Sequence, residues 1–148
     1  ACTEERLSYD GDHVSFDTVG FHPSPSREIP VWIGGHSGAT FRRIAEYGNG
    51  WTTLWDQPDD VARARDRIMN AWTDYDRDGE PEIAVLRPVN VGGSGDRILT
   101  GSADEIIDDL EAYADAGATR VIVDFYTTDI EEQLEQIRRF GDDVIPSF

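Results

Sequence analysis

Lysine is absent from this 148-residue chain: all 13 basic residues are arginine, set against 30 acidic ones, for a formal net charge of −17. Such a charge argues against nucleic acid as a partner, because binding to a phosphate backbone draws on clustered Lys and Arg. The missing lysine also removes the residue on which a P-loop depends, so triphosphate binding of that kind is disfavoured. Cys2 is the single cysteine, which excludes an internal disulfide and fits a reducing interior. No apolar run approaches the ~20 residues of a membrane-spanning helix, and the N-terminal stretch has no signal-peptide core. These absences lead to the expectation of a soluble, cytoplasmic protein that engages no membrane.

Asp outnumbers Glu, and the acidic residues are spread along the whole chain among well-patterned apolar segments rather than gathered in a tail. Loss of every lysine from so acidic a surface is the pattern expected of a halophilic protein, one kept soluble where salt screens surface charge to a few Å. The competing reading is an ordinary acidic protein of the cytoplasm.

The stretch on which the rest is organised is PVWIGGHSGATFRRIAEYGNGWTT, from Pro30 to Thr53. A short apolar run (Val31, Trp32, Ile33) ends in Gly34-Gly35, passes His36-Ser37-Gly38, and opens into apolar positions at Phe41, Ile44 and Ala45. This predicts a buried strand, a glycine-rich turn and an amphipathic helix. The first turn of a helix leaves backbone N–H groups unpaired and carries about half a positive charge, which makes it a place to hold an anion. The glycines let a bulky phosphate reach the backbone. Ser37 and Thr40, three apart, share a face of the helix start with their hydroxyls tilted toward its N-terminal end. Gly34, Gly35, Ser37, Gly38 and Thr40 are therefore expected to form a phosphate cradle. The plainer alternative is that Ser37 caps the helix and the glycines turn the chain.

Before this stretch, Ser8 to Phe16 places a Gly11-centred turn between two short extended pieces, a hairpin or surface excursion. His13 and His22 read as loop histidines with no second ligand at metal spacing, so no metal site is expected. After it, Gly48-Asn49-Gly50 is suited to a left-handed helix cap. A strand at Trp51–Trp55 follows, then a helix from Pro58 to the Asp78-Gly79 turn with the stripe Val61, Ala64, Ile68, Ala71, Trp72, Tyr75. A third strand is expected at about Ile83–Val91, and a glycine-rich loop over 92–101. Ser102 and Glu105 then form a capping box for a helix lined by Ile106, Ile107, Leu110, Tyr113 and Ala114 and stopped by Gly117. A fourth strand spans Arg120–Phe125. Asp129 caps a last helix with apolar face Ile130, Leu134 and Ile137, and Val144 and Ile145 continue the packing.

The order βαβαβαβα with short connections demands parallel strands and right-handed crossovers. It predicts an α/β fold of four units, either an open sheet or half of an eight-stranded barrel, since a whole barrel needs about 250 residues. A start without Met, in an irregular excursion, with no cover for a sheet edge, reads as the C-terminal half of a larger protein or a truncated relative of one. The expected organisation is an N-terminal excursion over 1–29 leading into the α/β portion over 30–148.

YDGDHVSF, then P-S-P, then PVWIGGHSGATFRRIAEYGNGW, then GSADEIIDDLEAYADAGATRVIVDF resembles the C-terminal half of the luciferase-like monooxygenase superfamily over nearly the whole chain. That superfamily comprises flavin-dependent monooxygenases and oxidoreductases dependent on the deazaflavin coenzyme F-420. The resemblance implies a TIM-type barrel in which the four units are strands five to eight. It implies that the turn after the fifth strand, here Gly34, Gly35, Ser37 and Thr40, helps bind the phosphate of the coenzyme. By the same likeness Trp51 and Thr52 lie at the C-terminal mouth and contact the cofactor chain, although Trp51 equally suits barrel packing. Two departures stand out. The family's first four strands, which carry much of the ring pocket, have no counterpart, and Asn49 stands where Asp is commoner.

His36, in the cradle loop, has two readings: a donor to a phosphate or substrate oxygen, or a solvent-facing turn residue. Arg87, inside a strand, calls for a salt bridge or an anionic ligand. Asp124 and Tyr126 close the fourth strand, where active-site groups of barrels gather, while an Asp there also often caps the next helix. The function expected is hydride chemistry at bound coenzyme F-420, with FMN as the alternative, the ring carrying the redox step and the protein supplying position. No catalytic residue is assigned. The reading from another class is a non-catalytic half-barrel, a phosphate-binding or assembly module that pairs with a missing N-terminal half, a second chain or itself as a homodimer. An open flavodoxin-like fold using the same turn is a third.

Overall fold

The computed structural model describes residues 6–20, 22–23, 25–94, 99–125 and 127–148. The chain divides into two compact units, Ala1–Val31 and Trp32–Phe148. In the first, β1 (Arg6–Asp10) and β2 (Ser15–Gly20) pair antiparallel. The Gly11 amide donates to Val14 O at 3.0 Å to close the expected turn, and Tyr9 and Phe16 meet across the strands.

The second unit carries a parallel four-stranded sheet with helices between its strands. In chain order it runs β3 (Trp32–Gly34), α1 (Gly38–Tyr47), β4 (Gly50–Leu54), α2 (Pro58–Asp74), β5 (Glu82–Pro88), β6 (Asn90–Val91), β7 (Thr100–Gly101), α3 (Ala103–Asp115), β8 (Arg120–Asp124) and α4 (Ile130–Arg139). The sheet order is β3-β4-β5-β8, all parallel, while β6 and β7 make a separate small parallel pair. Strand alternation sends Ile33, Trp51, Ile83 and Val85 toward the helices, where they pack with Phe41 and Ile44 of α1, Val61 and Ile68 of α2 and Tyr113 of α3. A second cluster joins Val89, Leu99, Ile106 and Leu110 to Phe140 and Val144 near the C-terminus.

Each helix begins where its sequence says it should. Ser37 Oγ accepts from the Thr40 amide, Pro58 opens α2, Ser102 and Glu105 form the full capping box, and Asp129 accepts from the amides of Glu131 and Glu132. The C-terminal end of α1 is closed from outside: Arg77 donates from Nη1 to Ala45 O at 2.6 Å and from Nη2 to Gly48 O at 3.0 Å.

Several boundaries differ from expectation. Gly48 is not left-handed, having φ −99. The glycine needed there is Gly50, because a side-chain carbon on it would collide with the Glu82 carbonyl of the neighbouring strand. Helix α2 stops at Asp74, short of the Asp78-Gly79 turn, as Asp76 takes φ +52. The third strand ends at Pro88, which has no N–H to continue the ladder. The chain then re-forms a short strand at Asn90–Val91, so part of the expected loop, Thr100–Gly101, is a strand paired with it. The fourth strand closes at Asp124. The apolar stripe of α4 faces outward rather than into a core, with Ile130 exposed by 72% and Leu134 and Ile137 nearly half exposed. Val144 packs as expected and Ile145 does not.

Candidate functional site

The register pairs Gly34 of β3 with Thr52 of β4, and because the strands are parallel both run out at the same rim of the sheet. The 35–37 loop leaves β3 there, and α1 starts there. Gly35 takes φ +118, a conformation that L side chains rarely adopt, and a side-chain carbon on it would press on Thr40 Oγ1 at 3.0 Å. Its carbonyl accepts from the indole Nε1 of Trp51 at 2.8 Å. Trp51 is wholly buried. It lies beneath the loop, in the helix-side core, as the barrel-packing alternative has it, and fixes the loop from below. Thr52, the next residue along the strand, points to the opposite face and is half-buried.

At the mouth of α1, Ser37 Oγ takes up the Thr40 amide at 3.1 Å and lies 2.9 Å from Thr40 Oγ1. The capping alternative thus describes what the exposed Ser37 does here, while Thr40 is buried. Capping satisfies one amide of the first turn; those of Gly38 and Ala39, ahead of it, have no carbonyl within the helix to bond. The electrostatics of this end are unlike those of the other three helices. Helices α2, α3 and α4 each carry two acidic residues in the first turn (Asp59 and Asp60, Asp104 and Glu105, Glu131 and Glu132), whereas α1 carries none. Since Arg77 bonds the carbonyls at its far end, the dipole of α1 is answered only there. Arg67 of α2 stands beside the open end, its Nη2 4.0 Å from the position of a Gly38 side-chain carbon and its guanidinium over the Phe41 ring at 4.6 Å.

His36 is not a free turn residue. Its Nε2 donates to Asp56 Oδ2 at 2.7 Å, and its ring meets the buried Trp51 edge-on at 5.6 Å between centroids. Asp56 lies in the turn after β4, where Trp55 adopts φ +69, a left-handed conformation that costs a non-glycine residue on the order of 1 kcal/mol. Thr53 Oγ1 donates to the same carboxylate. Beneath the turn, Tyr113 OH donates to the Asp56 carbonyl at 2.8 Å, and Arg87 Nε donates to Tyr113 OH at 2.6 Å. Burial pushes the Tyr113 phenol above its ordinary value, with Arg87 opposing that rise.

Arg87 departs from both of its expected roles. It is fully buried, and instead of a carboxylate it has the Tyr113 hydroxyl, the Leu86 carbonyl at 2.7 Å from Nη1, and the Tyr113 ring beneath its guanidinium. Its Nη2 is buried without a partner. The strand turns Arg87 to the helix side with Val85, away from any ligand above the rim. Asp124 is exposed and caps no helix; its backbone carbonyl accepts from the Val89 amide. Tyr126 lies outside the described residues. Among the described residues no group of three or more His, Cys, Asp or Glu is placed to hold a metal, and no helix is long and apolar enough to cross a membrane.

The structure thus brings Gly34, Gly35, His36, Ser37, Gly38 and Thr40 together at one rim with Asp56, Arg67 and Tyr113, which sequence reasoning missed. A signal for Arg67 was present: it sits three residues after Ala64 and four before Ala71, beside the buried stripe of α2 and facing α1. Asp56 left a fainter one, a carboxylate between a strand end and a helix-starting proline.

Uncharacterized proteins of Mycobacterium bovis and Mycobacterium tuberculosis are each 24% identical to this chain over 151 residues, covering 97% of it and 47% of their own length. The chain therefore spans about half the length of the curated relatives it matches. Among solved structures, a monooxygenase from Streptomyces bottropensis superposes with a TM-score of 0.76 at 13% identity, over 99% of this chain and 57% of its own. An F-420-dependent secondary alcohol dehydrogenase, solved with an F-420–acetone adduct, gives 0.72 at 13% identity over 96% and 56%. The oxygenating constituent of 3,6-diketocamphane monooxygenase from Pseudomonas putida, solved with FMN, gives 0.67 at 13% identity over 99% and 59%. These likenesses establish a shared fold. A profile of the luciferase-like monooxygenases matches residues 1–97, about two thirds of the sequence, and the chain belongs to that family.

Proposed function

We propose that this chain supplies the coenzyme-phosphate side of an oxidoreductase that uses coenzyme F-420, with FMN as the alternative. The observation that carries the proposal is the bare N-terminal end of α1: in a chain of net charge −17, the one described α-helix without an acid in its first turn opens at the rim where the strands end. An anion there gains what the other helices obtain from Asp and Glu. The residues fit a phosphate. Gly34 and Gly35 present backbone rather than side chain, the Gly38 and Ala39 amides have no carbonyl within the helix to bond, and Arg67 supplies the cation that a P-loop takes from lysine. Ser37 and Thr40 hold the turn's shape, Trp51 anchors it, and Thr52 lies on the strand face beside it. When bound, the coenzyme ring accepts or gives up a hydride; the residues named here bind and orient its phosphate end.

In this reading the four βα units correspond to strands five to eight of a TIM-type barrel, preceded by the hairpin excursion of 1–29. The sheet face away from the helices carries Trp32, Leu54, Leu86 and Ile122, with Leu54 exposed by 55%. That face supports completion of the barrel by a further half or by a second chain, and it equally suits the non-catalytic assembly module. The acidic, lysine-free surface supports a cytoplasmic setting of high salt, for which the deazaflavin is the first choice. Fluorescence titration at molar salt, with the barrel completed, tests the proposal. Saturable quenching of coenzyme F-420 or FMN is expected, and no response from either removes it; a stable coenzyme-free dimer would favour the assembly module.

A further inference from the structure

We propose that α4 is a self-docking surface: two copies of this chain pair through its outward apolar stripe, with the helices antiparallel, so that Glu131 of each copy faces Arg138 of the other. The inference does not depend on the coenzyme reading, and it concerns a surface other than the open face of the sheet.

Ile130, Leu134 and Ile137 follow one another at i, i+4 and i+7 and so share one side of the helix. Helices α1, α2 and α3 each bury apolar residues, whereas no residue of α4 is buried. It is the polar side of α4 that ties it to the rest of the chain. Gln136 Oε1 accepts from the Val91 amide at 2.7 Å, its Nε2 donates to the Val91 carbonyl at 3.2 Å, and Glu132 Oε2 accepts from Thr127 Oγ1 at 2.7 Å. At 3.6 residues per turn, Glu132 and Gln136 lie on the far side of the helix from the stripe. The apolar side is thereby left to another molecule, and its burial there supplies the driving force.

Charge identifies that molecule. Among the described α-helices, α4 alone has basic residues in its last turn, Arg138 and Arg139, and it carries Glu131 and Glu132 in its first. Glu132 is turned inward and Arg139 is bonded by Glu135 at 3.0 Å, so the charges flanking the stripe are Glu131 and Arg138, on one and the same side of it. Glu131 is exposed, and Arg138, 70% exposed, comes no nearer than 4.0 Å to Glu135. Antiparallel pairing about a two-fold axis sets the acidic start of each helix beside the basic end of its mate and opposes the two helix dipoles. Parallel pairing would set acid beside acid. The pattern is complementary to itself, which is what an isologous interface requires. Ten residues of helix span about 15 Å. Such a contact falls below the about 1,200 Å² of a standard interface and suits a weak, concentration-dependent dimer.

Sedimentation equilibrium of the full chain in about 1 M salt, where repulsion between two acidic copies is screened to about 3 Å, reads the pairing from micromolar to millimolar protein. A monomer–dimer equilibrium is expected. Leu134→Glu, at a position whose exposure spares the fold, is expected to abolish it while leaving the circular dichroism and the unfolding midpoint unchanged. Glu131→Arg and Arg138→Glu should each weaken the dimer about tenfold, since two symmetry-related pairs turn repulsive. Mixed together, these two variants should pair with each other as tightly as the native chain does, because every cross pair is again opposite in sign. A monomer at every concentration, a dimer that survives Leu134→Glu, or charge variants that associate no better mixed than alone would each overturn the inference. So would a chain that stays monomeric until a completing half covers the stripe, which would assign this face of α4 to the barrel.

Discussion

The indole nitrogen of Trp51 and the carbonyl of Gly35, sixteen residues apart, are joined by a 2.8 Å hydrogen bond that ties the loop after β3 to the core beneath it. Replacing Trp51 by Phe keeps most of the buried area but leaves that carbonyl without its donor. A loss of about 1–2 kcal/mol is expected by denaturant unfolding, together with weaker phosphate-ester binding. Unchanged binding in a destabilised protein would show that the loop keeps its shape without the anchor.

Gly35→Ala tests the loop backbone itself. At φ +118, with the new carbon 3.0 Å from Thr40 Oγ1, the substitution is expected to cost more than about 1 kcal/mol. Gly79→Ala is the control, since its φ of +70 is also positive but nothing lies within 4 Å of the added carbon. Equal losses at the two sites would assign the whole effect to backbone conformation.

Ala39→Asp separates stability from binding. An acid at this exposed first-turn position complements the helix dipole and is expected to stabilise the fold by about 0.3–1 kcal/mol. The same charge should abolish binding of phosphate esters by occupying the place and sign of the ligand. Thermal unfolding and ester titration on one sample check both directions, and retained binding would remove the helix end from the site.

Tyr113 predicts an alkaline limb. Burial raises its folded-state pKa above the ordinary 10.0, so the stability this gives is fully present below that value and lost as pH climbs through the raised one. Unfolding free energy should therefore fall on crossing into that range, and Tyr113→Phe should flatten this limb. The variant should also be about 1–3 kcal/mol less stable at neutral pH, because Arg87 Nε loses its acceptor in the interior. A limb of equal slope in the variant would point to other groups.

Much of the fold was legible because period and punctuation agreed. The capping residues Ser37, Ser102 and Asp129 mark their helices correctly, and the contiguous Ile83, Ala84 and Val85 mark a strand buried on both faces. The turn after β3 was legible for the same reason, as glycines between a strand and a helix permit the positive φ that Gly35 adopts. The His36–Asp56 pair was not, since it depends on the register that sets two successive strand ends side by side, and no spacing in the sequence states that register. Arg87 misled because a charge inside a strand suggests an ionic partner, while a hydroxyl, a carbonyl and an aromatic face are what it meets here, with Nη2 left unbonded. The stripe of α4 misled in another way: amphipathic spacing reports that a face is apolar, not that anything in the same chain covers it.

Because Arg87 is held by neutral groups, its bonding partners do not change when the chain is acidified. Protonating the carboxylates strips the surface of most of its charge and dissolves pairs such as Glu135 with Arg139, yet leaves the guanidinium with the same two acceptors. Acid expansion of this protein should therefore start at the outer helices, with the sheet and the Tyr113 contact giving way last.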